Sequence, residues 1–173
     1  HPTAVNNVGA AYLHGDGVEE DPAEALAWFQ KSAMMGYWRA MLNCSMMYRD
    51  GKGVAKNYAT AIDWIKKAMK TGNARAWDEM GEMYKNGYGV ETNYQTAMHY
   101  YRTAASGQYE AALVHIGNMY ASGLGVASNA EEAVRWYEKA AERGYTYGKA
   151  CLGFAYLKGR GVPKDARMAS DLF

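Results

Sequence analysis

The chain of 173 residues has the composition of an ordinary globular protein, with about half of its residues apolar. It carries 19 basic and 18 acidic residues, so no strong positive field is available to attract nucleic acid. Polar residues interrupt every apolar stretch well short of the roughly 20 residues that cross a bilayer, and membrane insertion is not expected. No targeting segment is visible, and localisation in the bacterial periplasm, outside the cell or in the cytoplasm stays open.

A Gly-x-Gly-Val motif recurs along the chain with a constant period of 36 residues. A tyrosine three residues before the first glycine and an alanine ten residues after it recur with the same period. Self-similarity of this kind indicates a repeat array, in which each unit is a supersecondary element that packs on its neighbours. The first glycines of the motifs are Gly15, Gly51, Gly87, Gly123 and Gly159.

Apolar residues at helical spacing predict two helices in each unit. The second helix of a unit, helix B, is exemplified by residues 22–35, and the first helix of the next unit, helix A, by residues 38–50. A short polar residue that can accept hydrogen bonds from the free N–H groups of the first turn precedes each helix B. These predicted N-caps are Asp21, Asn57, Asn93, Asn129 and Asp165.

Two columns of large residues run through the B helices and predict the core. Four of the A helices contain a glycine at the same position, and the A helix of the second unit has Ser45 there. Because a glycine inside a helix costs roughly 1 kcal/mol relative to alanine, these small residues predict a close approach between the paired helices. We expect Ala25 and its equivalents to supply the opposing small surface. The first column is Trp28, Trp64, Tyr100, Trp136 and Leu172, and the second is Phe29, Ile65, Tyr101, Tyr137 and Phe173.

The paired glycines of the loops have a backbone interpretation. The first suits the left-handed position after a helix, and the second lets the chain turn back while the following valine packs inward. A phosphate-binding loop would need a preceding strand and a Lys-Ser/Thr pair, and neither is present. In the third unit the glycine after helix B, Gly107, comes one residue early, which predicts that this helix ends one residue early.

The complete pattern resembles the Sel1-like repeat family. It reads Ala-x-x-x-Leu-Gly-x-x-Tyr-x-x-Gly-x-Gly-Val, then Asp or Asn, then Ala-x-x-Trp-Tyr-x-Lys-Ala-Ala-x-x-Gly, and residues 112–144 match it closely. The related tetratricopeptide repeat has a 34-residue period and lacks the glycine loop. The resemblance implies an all-α fold, a right-handed α-solenoid of about five 36-residue helical hairpins whose A helices line the concave side. Some members pair two cysteines within one repeat, but Cys44 and Cys151 lie three repeats apart and are expected to be free thiols.

We expect one solenoid domain over residues 1–173. The first unit begins inside helix A and the last stops within helix B, so we interpret the array as truncated at both ends. It would then be an excerpt of a longer chain or would associate with itself through those ends. The expected units are residues 1–36, 37–72, 73–107, 108–144 and 145–173.

No arrangement of residues indicates catalysis. The four histidines have no second histidine or carboxylate at ligand spacing, and the common hydrolase motifs are missing. We therefore expect no enzyme activity, no metal and no cofactor. The cysteines are interpreted as small buried apolar residues.

Residues away from the core at positions i, i+3, i+7, i+10 and i+11 of helix A are predicted to face a groove. They are charged in the second and third units and apolar in the last two. The charges would select and orient a partner, and Tyr147 and Phe154 would anchor it, unless a further helix covers Phe154. The predicted partner-binding residues are Arg39, Met46, Arg49, Arg75, Asp78, Glu82, Lys85, Asn118, Tyr147 and Phe154.

The resemblance and the groove together predict a scaffold or adaptor that binds a peptide or a partner protein. An inhibitor or immunity-type protein, which blocks a partner enzyme, is the alternative. Both would use the same kind of surface, so the sequence does not rank them.

Overall fold

The computed structural model describes all residues, His1–Phe173, and contains helices only. Each of the five repeats supplies one A helix and one B helix. The predicted fold class, an all-α solenoid of about five helical hairpins, is confirmed. The A helices are α1 (Pro2–His14), α3 (Trp38–Asp50), α5 (Ala74–Asn86), α7 (Glu110–Ser122) and α9 (Thr146–Lys158). The B helices are α2 (Pro22–Met34), α4 (Tyr58–Met69), α6 (Tyr94–Ser106), α8 (Ala130–Glu142) and α10 (Ala166–Leu172).

The helices form two units, His1–Thr92 and Asn93–Phe173. In the first unit α1 packs against α2 and α3 against α4, and α2–α3 and α4–α5 contacts join the hairpins. In the second unit each helix from α6 to α10 packs against the next, and α7 also contacts α9. Each unit therefore builds its core from helices that are consecutive in the chain.

The predicted N-caps begin the B helices. The Asp21 carboxylate accepts hydrogen bonds from the N–H groups of Ala23 and Glu24, both at 3.0 Å. The Asp21 backbone N–H in turn donates to the Tyr12 carbonyl oxygen at 2.8 Å, so the cap also fastens the loop to the end of helix A. The same side-chain cap forms in the other repeats, at Asn57, Asn93, Asn129 and Asp165.

The glycine pairs of the loops are explained by backbone geometry. The first glycine of each pair ends helix A with φ between 66° and 73°, in the left-handed region. The second glycine is also left-handed, with φ 67° at Gly53, and a Cβ on Gly53 would in addition lie 2.5 Å from the Ala23 nitrogen, in the first turn of α2. The loop of one repeat therefore lies directly against the start of the preceding B helix.

The third repeat departs from the prediction at the end of its B helix. Helix α6 has 13 residues, as α2 does, so the expectation that it ends one residue early is wrong. Gly107 has φ −80°, and the left-handed position that follows is taken by Gln108 with φ 65°. Gly36 and Gly144 occupy that position in other repeats, with φ 84° and 79°. The glycine is displaced by one residue, and the helix keeps its length.

Only the second of the two predicted columns of large residues lies in the core, and its last member does not. Phe29, Ile65, Tyr101 and Tyr137 are buried, whereas Phe173 is 67% exposed. The expectation that the tryptophan column is also core is wrong, because Trp28, Trp64 and Trp136 are only half-buried.

A lysine three residues along the helix lies over each of these tryptophan rings. The Nζ-to-centroid distances are 4.8 Å for Lys31 on Trp28, 3.9 Å for Lys67 on Trp64 and 4.1 Å for Lys139 on Trp136. Each lysine places its ammonium group over the ring in a cation–π interaction. The tryptophans therefore form the outer edge of the core.

The predicted close approach within hairpins is confirmed, but its main partner is an aromatic ring. A Cβ on Gly9 would lie 2.8 Å from Cδ1 of Phe29 and 3.1 Å from the Ala25 carbonyl oxygen. Gly117 meets the Tyr137 ring in the same way. The second repeat carries Ser45 and Ile65 at the equivalent positions, a larger residue on helix A facing a smaller one on helix B.

Replacing Gln108 by glycine should stabilise the protein. The left-handed conformation costs a non-glycine residue about 1–2 kcal/mol, partly offset by the extra chain entropy that glycine loses on folding. We expect the free energy of unfolding in urea to rise by about 0.5–1 kcal/mol. The reverse change, Gly144→Ala, meets no atom within 4 Å and should destabilise by backbone strain alone. A loss of stability in Gln108→Gly would contradict this interpretation.

Replacing Gly117 by alanine should destabilise the protein although alanine favours helix. The added methyl group collides with the Tyr137 ring, and such overpacking costs about 1–3 kcal/mol. In a Tyr137→Ile background, which restores the arrangement of the second repeat, the cost of Gly117→Ala should fall by at least about 1 kcal/mol. Urea unfolding of the wild type, the two single variants and the double variant measures this coupling. Strictly additive changes in the free energy of unfolding would disprove it.

Candidate functional site

In α3, α5, α7 and α9, exposed or half-buried residues recur at the spacing i, i+4, i+7 and i+11, and within each unit we call this surface the A-helix face. At 3.6 residues per turn these four positions cluster on one side of the helix. The A-helix face comprises Arg39, Asn43, Met46 and Asp50 of α3, Arg75, Glu79, Glu82 and Asn86 of α5, His115, Asn118 and Ser122 of α7, and Tyr147, Cys151, Phe154 and Lys158 of α9.

The predicted groove spacing was therefore wrong at one position. A residue at i+3 lies at the edge of the exposed stripe and turns inward, so Asp78 is only 3% exposed and does not face the groove. Leu42 and Val114 are buried for the same reason. Ala111 is buried as well, and α7 exposes polar residues where an apolar surface was expected.

In the first unit, charged residues on and beside the A-helix face form ion pairs with one another. The Arg49 guanidinium donates to both oxygens of Asp50, at 2.8 and 3.1 Å, and lies 3.8 Å from Glu79. Arg75 reaches the other Glu79 oxygen at 3.4 Å. The sequence interpretation missed Glu79, although its carboxylate lies between the two arginines.

Two further predicted residues of α5 are paired with each other. The Lys85 ammonium lies 2.6 Å from a Glu82 oxygen, and the Asn86 side chain donates to the other Glu82 oxygen at 3.0 Å. In α3, Arg39 lies over the Trp38 ring at 5.1 Å, and Met46 is half-buried. The first unit therefore presents a mainly charged surface with internal ion pairs.

The second unit presents aromatic groups on the A-helix face. Tyr147 is 56% exposed and Phe154 is 57% exposed. Phe173 packs edge-on against Phe154 with ring centroids 5.2 Å apart, yet leaves more than half of the Phe154 side chain accessible. Helix α10 therefore leaves Phe154 accessible, and the alternative that a further helix covers it stays a prediction.

A cavity of about 400 Å³ lies beside Phe154. Its walls are built by α7, α8 and α9, with Ala121, Tyr137 and Cys151 among the lining residues. Lys158, the last residue of α9, and Arg160, in the loop that follows, complete the lining. Of these residues the sequence interpretation had selected Phe154 alone for the partner-binding set.

The Tyr137 hydroxyl and the Cys151 thiol on the cavity wall are neutral at physiological pH. Burial raises the pKa of Tyr137 to about 12, and its hydroxyl donates to the Asn118 side-chain oxygen at 2.8 Å. Burial also raises the pKa of Cys151, although a hydrogen bond from Tyr147 opposes the shift. The cavity wall therefore behaves as an apolar surface at neutral pH.

The remaining sites of potential chemistry are structural. Cys44 is fully buried as a free thiol, and burial raises its pKa to about 12. The His115 ring lies 5.1 Å from the Tyr101 ring. No group of three or more histidine, cysteine, aspartate or glutamate side chains could hold a metal ion, and none of the helices has the length and apolar character to span a membrane.

The stability difference between the wild-type protein and Glu79→Gln should depend on pH. Burial raises the pKa of Glu79 against the opposing effect of Arg75 and Arg49, so the folded protein binds this proton more tightly than the unfolded chain. The wild type should therefore lose stability relative to Glu79→Gln as the pH rises from about 4.3, the value of an unperturbed glutamate, through the higher folded pKa. Urea unfolding at a series of pH values measures the difference, and a constant difference would contradict it.

Comparison with known proteins identifies the family of the chain. The Sel1 repeat matches residues 2–37, 38–73, 78–109, 110–145 and 150–173. A Sel1 repeat protein from Oxalobacter formigenes is 35% identical, with a TM-score of 0.84 over 99% of this chain and 70% of that chain. A protective antigen of uropathogenic Escherichia coli with an SLR fold is 33% identical, with a TM-score of 0.77 over 99% of this chain and 37% of that chain.

More distant likeness concerns the fold alone. An immunity protein from Pseudomonas aeruginosa is 21% identical, with a TM-score of 0.73 over 99% of this chain and 62% of that chain. No curated protein matches the chain significantly. The five matched repeats and the two relatives above 30% identity show that this chain belongs to the Sel1 repeat family.

Proposed function

We propose that this chain is a protein-interaction module that binds a peptide or partner protein through the A-helix face of its second unit. Sel1 repeat proteins are generally protein-interaction scaffolds. The observation that supports this site is the cavity beside Phe154, where a large exposed aromatic residue adjoins an apolar concavity. Anchor residues of protein interfaces are commonly aromatic and bind at such concave sites.

The charged residues of the first unit have a secondary role in this proposal. Arg49, Arg75 and Lys85 already have carboxylate partners, so a bound protein would gain little from them unless it displaced those contacts. Exposed charges at the rim of an interface mainly change the rate and orientation of association. We therefore assign the retention of a partner to Phe154 and Tyr147 of the second unit, and treat Arg39, Arg49, Arg75, Glu82 and Lys85 as a separate charged surface of the first unit.

A binding role also fits the chemistry of the cavity wall better than catalysis. The groups that could act as nucleophiles, Cys151 and Tyr137, have raised pKa values and are protonated at neutral pH. A catalytic thiol needs the opposite environment, one that lowers its pKa. The wall residues therefore support recognition of an apolar group.

An inhibitor or immunity-type protein remains the second candidate function. The likeness to the Pseudomonas aeruginosa immunity protein concerns the fold and does not by itself favour this reading. Both functions would use the same surface and differ in the partner. If a captured partner is an enzyme and loses activity in the complex, the inhibitor function is supported.

Phe154→Ala should weaken binding of a captured partner by about 2 kcal/mol or more, mainly through faster dissociation. The matched control is Met34→Ala, because Met34 is 78% exposed on α2 and also apolar. Surface plasmon resonance with the wild type and both variants measures the two rates, and thermal melts confirm that both variants fold. Unchanged dissociation in Phe154→Ala, or equal losses in both variants, would mean that the partner binds elsewhere.

A further inference from the structure

The geometry points to an acidic partner: we infer that the cavity beside Phe154 takes a large apolar side chain that is flanked in its own chain by aspartate or glutamate. This inference rests on the proposed function, since it names the partner chemistry of the same site. The proposed ligand is the interior of an extended protein segment, whose apolar side chain enters the cavity while its carboxylates lie at the rim.

The depth of the cavity favours an apolar group. Alanine and valine side chains make up much of its wall, and the polar groups among them are the thiol of half-buried Cys151 and the hydroxyl of buried Tyr137. The Tyr137 hydroxyl already donates its proton to Asn118 at 2.8 Å, and a thiol such as that of Cys151 is a weak hydrogen-bonding group. A polar group inserted here would lose its hydration without gaining a strong partner. A volume of about 400 Å³ is in the range of clefts that enclose ligands of this kind.

The rim of the cavity favours an anionic group. Lys158 and Arg160 both line it, and no acidic residue does. Neither cation forms an ion pair, whereas Arg49, Arg75 and Lys85 on the A helices of the first unit each have a carboxylate within 4 Å. A pair of uncompensated positive charges beside an apolar concavity is complementary to carboxylates next to an apolar anchor.

The position of the two cations favours the interior of a segment over a chain terminus. Lys158 ends α9 and Arg160 lies two residues further on, so the charges come from two separate points of the rim. Two such points suit two acidic side chains placed two residues before and two residues after the apolar residue of an extended strand, because these three side chains point to the same face. Capture of a single terminal carboxylate usually uses a nest of backbone N–H groups, whereas the ionic groups here are side chains.

Fluorescence anisotropy with short labelled peptides tests the inference. The probe carries one central phenylalanine with a glutamate two residues before it and another two residues after it, in a Gly/Ser background with both ends blocked. A second peptide has glutamine in place of glutamate, and a third has the glutamine sequence with a free terminal carboxylate. We expect the glutamate peptide to bind the wild type on the order of tenfold more tightly than the glutamine peptide, and this preference to decrease with added salt.

Variants of the protein show which residues cause the preference for the glutamate peptide over the glutamine peptide. It should disappear in the double variant Lys158→Gln/Arg160→Gln and persist in Arg143→Gln/Lys149→Gln, which removes the same charge from exposed residues that do not line the cavity. Equal binding of the two blocked peptides, a preference that survives in Lys158→Gln/Arg160→Gln, stronger binding of the free carboxylate, or no binding to the wild type would each overturn the inference.

Phe154→Ala separates this inference from the proposed function. If both blocked peptides bind the wild type equally and both weaken in Phe154→Ala, the acidic chemistry is wrong and the binding face is supported. If Phe154→Ala leaves their binding unchanged, the proposed face itself is wrong.

Discussion

The contact between a glycine of helix A and an aromatic ring of helix B sets the geometry of a hairpin. At Gly9 and Gly117 no side chain separates the helix from the ring of Phe29 or Tyr137, so the two helices approach closely and the ring is buried. This approach offsets the cost of glycine within a helix. It also determines which side of helix A turns inward, and the opposite side becomes the A-helix face.

The candidate site depends directly on this contact in the second unit. The Tyr137 ring that packs on Gly117 also lines the cavity, and its hydroxyl reaches the Asn118 side chain on the A-helix face. One residue therefore connects the hairpin core with the proposed binding surface. The loop after α9 is held by a similar close contact, since Gly161 lies against the backbone at the start of α8, and this places Arg160 at the rim.

The features that the sequence predicts correctly are those decided within one repeat. The N-cap at Asp21 and the left-handed glycine at Gly15 depend on local backbone geometry, which a column of identical residue types records directly. The partial exposure of Trp28 was not predictable in this way, because it depends on Lys31 covering the ring, and lysine is equally common on uncovered surfaces.

Two further differences between the sequence prediction and the structure are errors of a single residue position. Asp78 and Glu79 are adjacent and both acidic, and only the exact rotation of α5 decides that the first is buried and the second faces Arg49 and Arg75. Gln108 takes a left-handed conformation that the displaced Gly107 obscures in the sequence. The cavity needs side chains from three helices, so no single repeat contains the pattern that would reveal it.

Site-specific photo-crosslinking tests most directly whether the cavity beside Phe154 is the binding surface. A photoreactive phenylalanine analogue at position 154 is compared with the same analogue at position 135, an exposed position of α8 outside the cavity lining. Cross-linking in the native cell extract, followed by mass spectrometry, identifies the contacted protein. We predict one dominant adduct from position 154 and none from position 135. An adduct from position 135 with none from position 154 would contradict the assignment of the A-helix face as the binding surface.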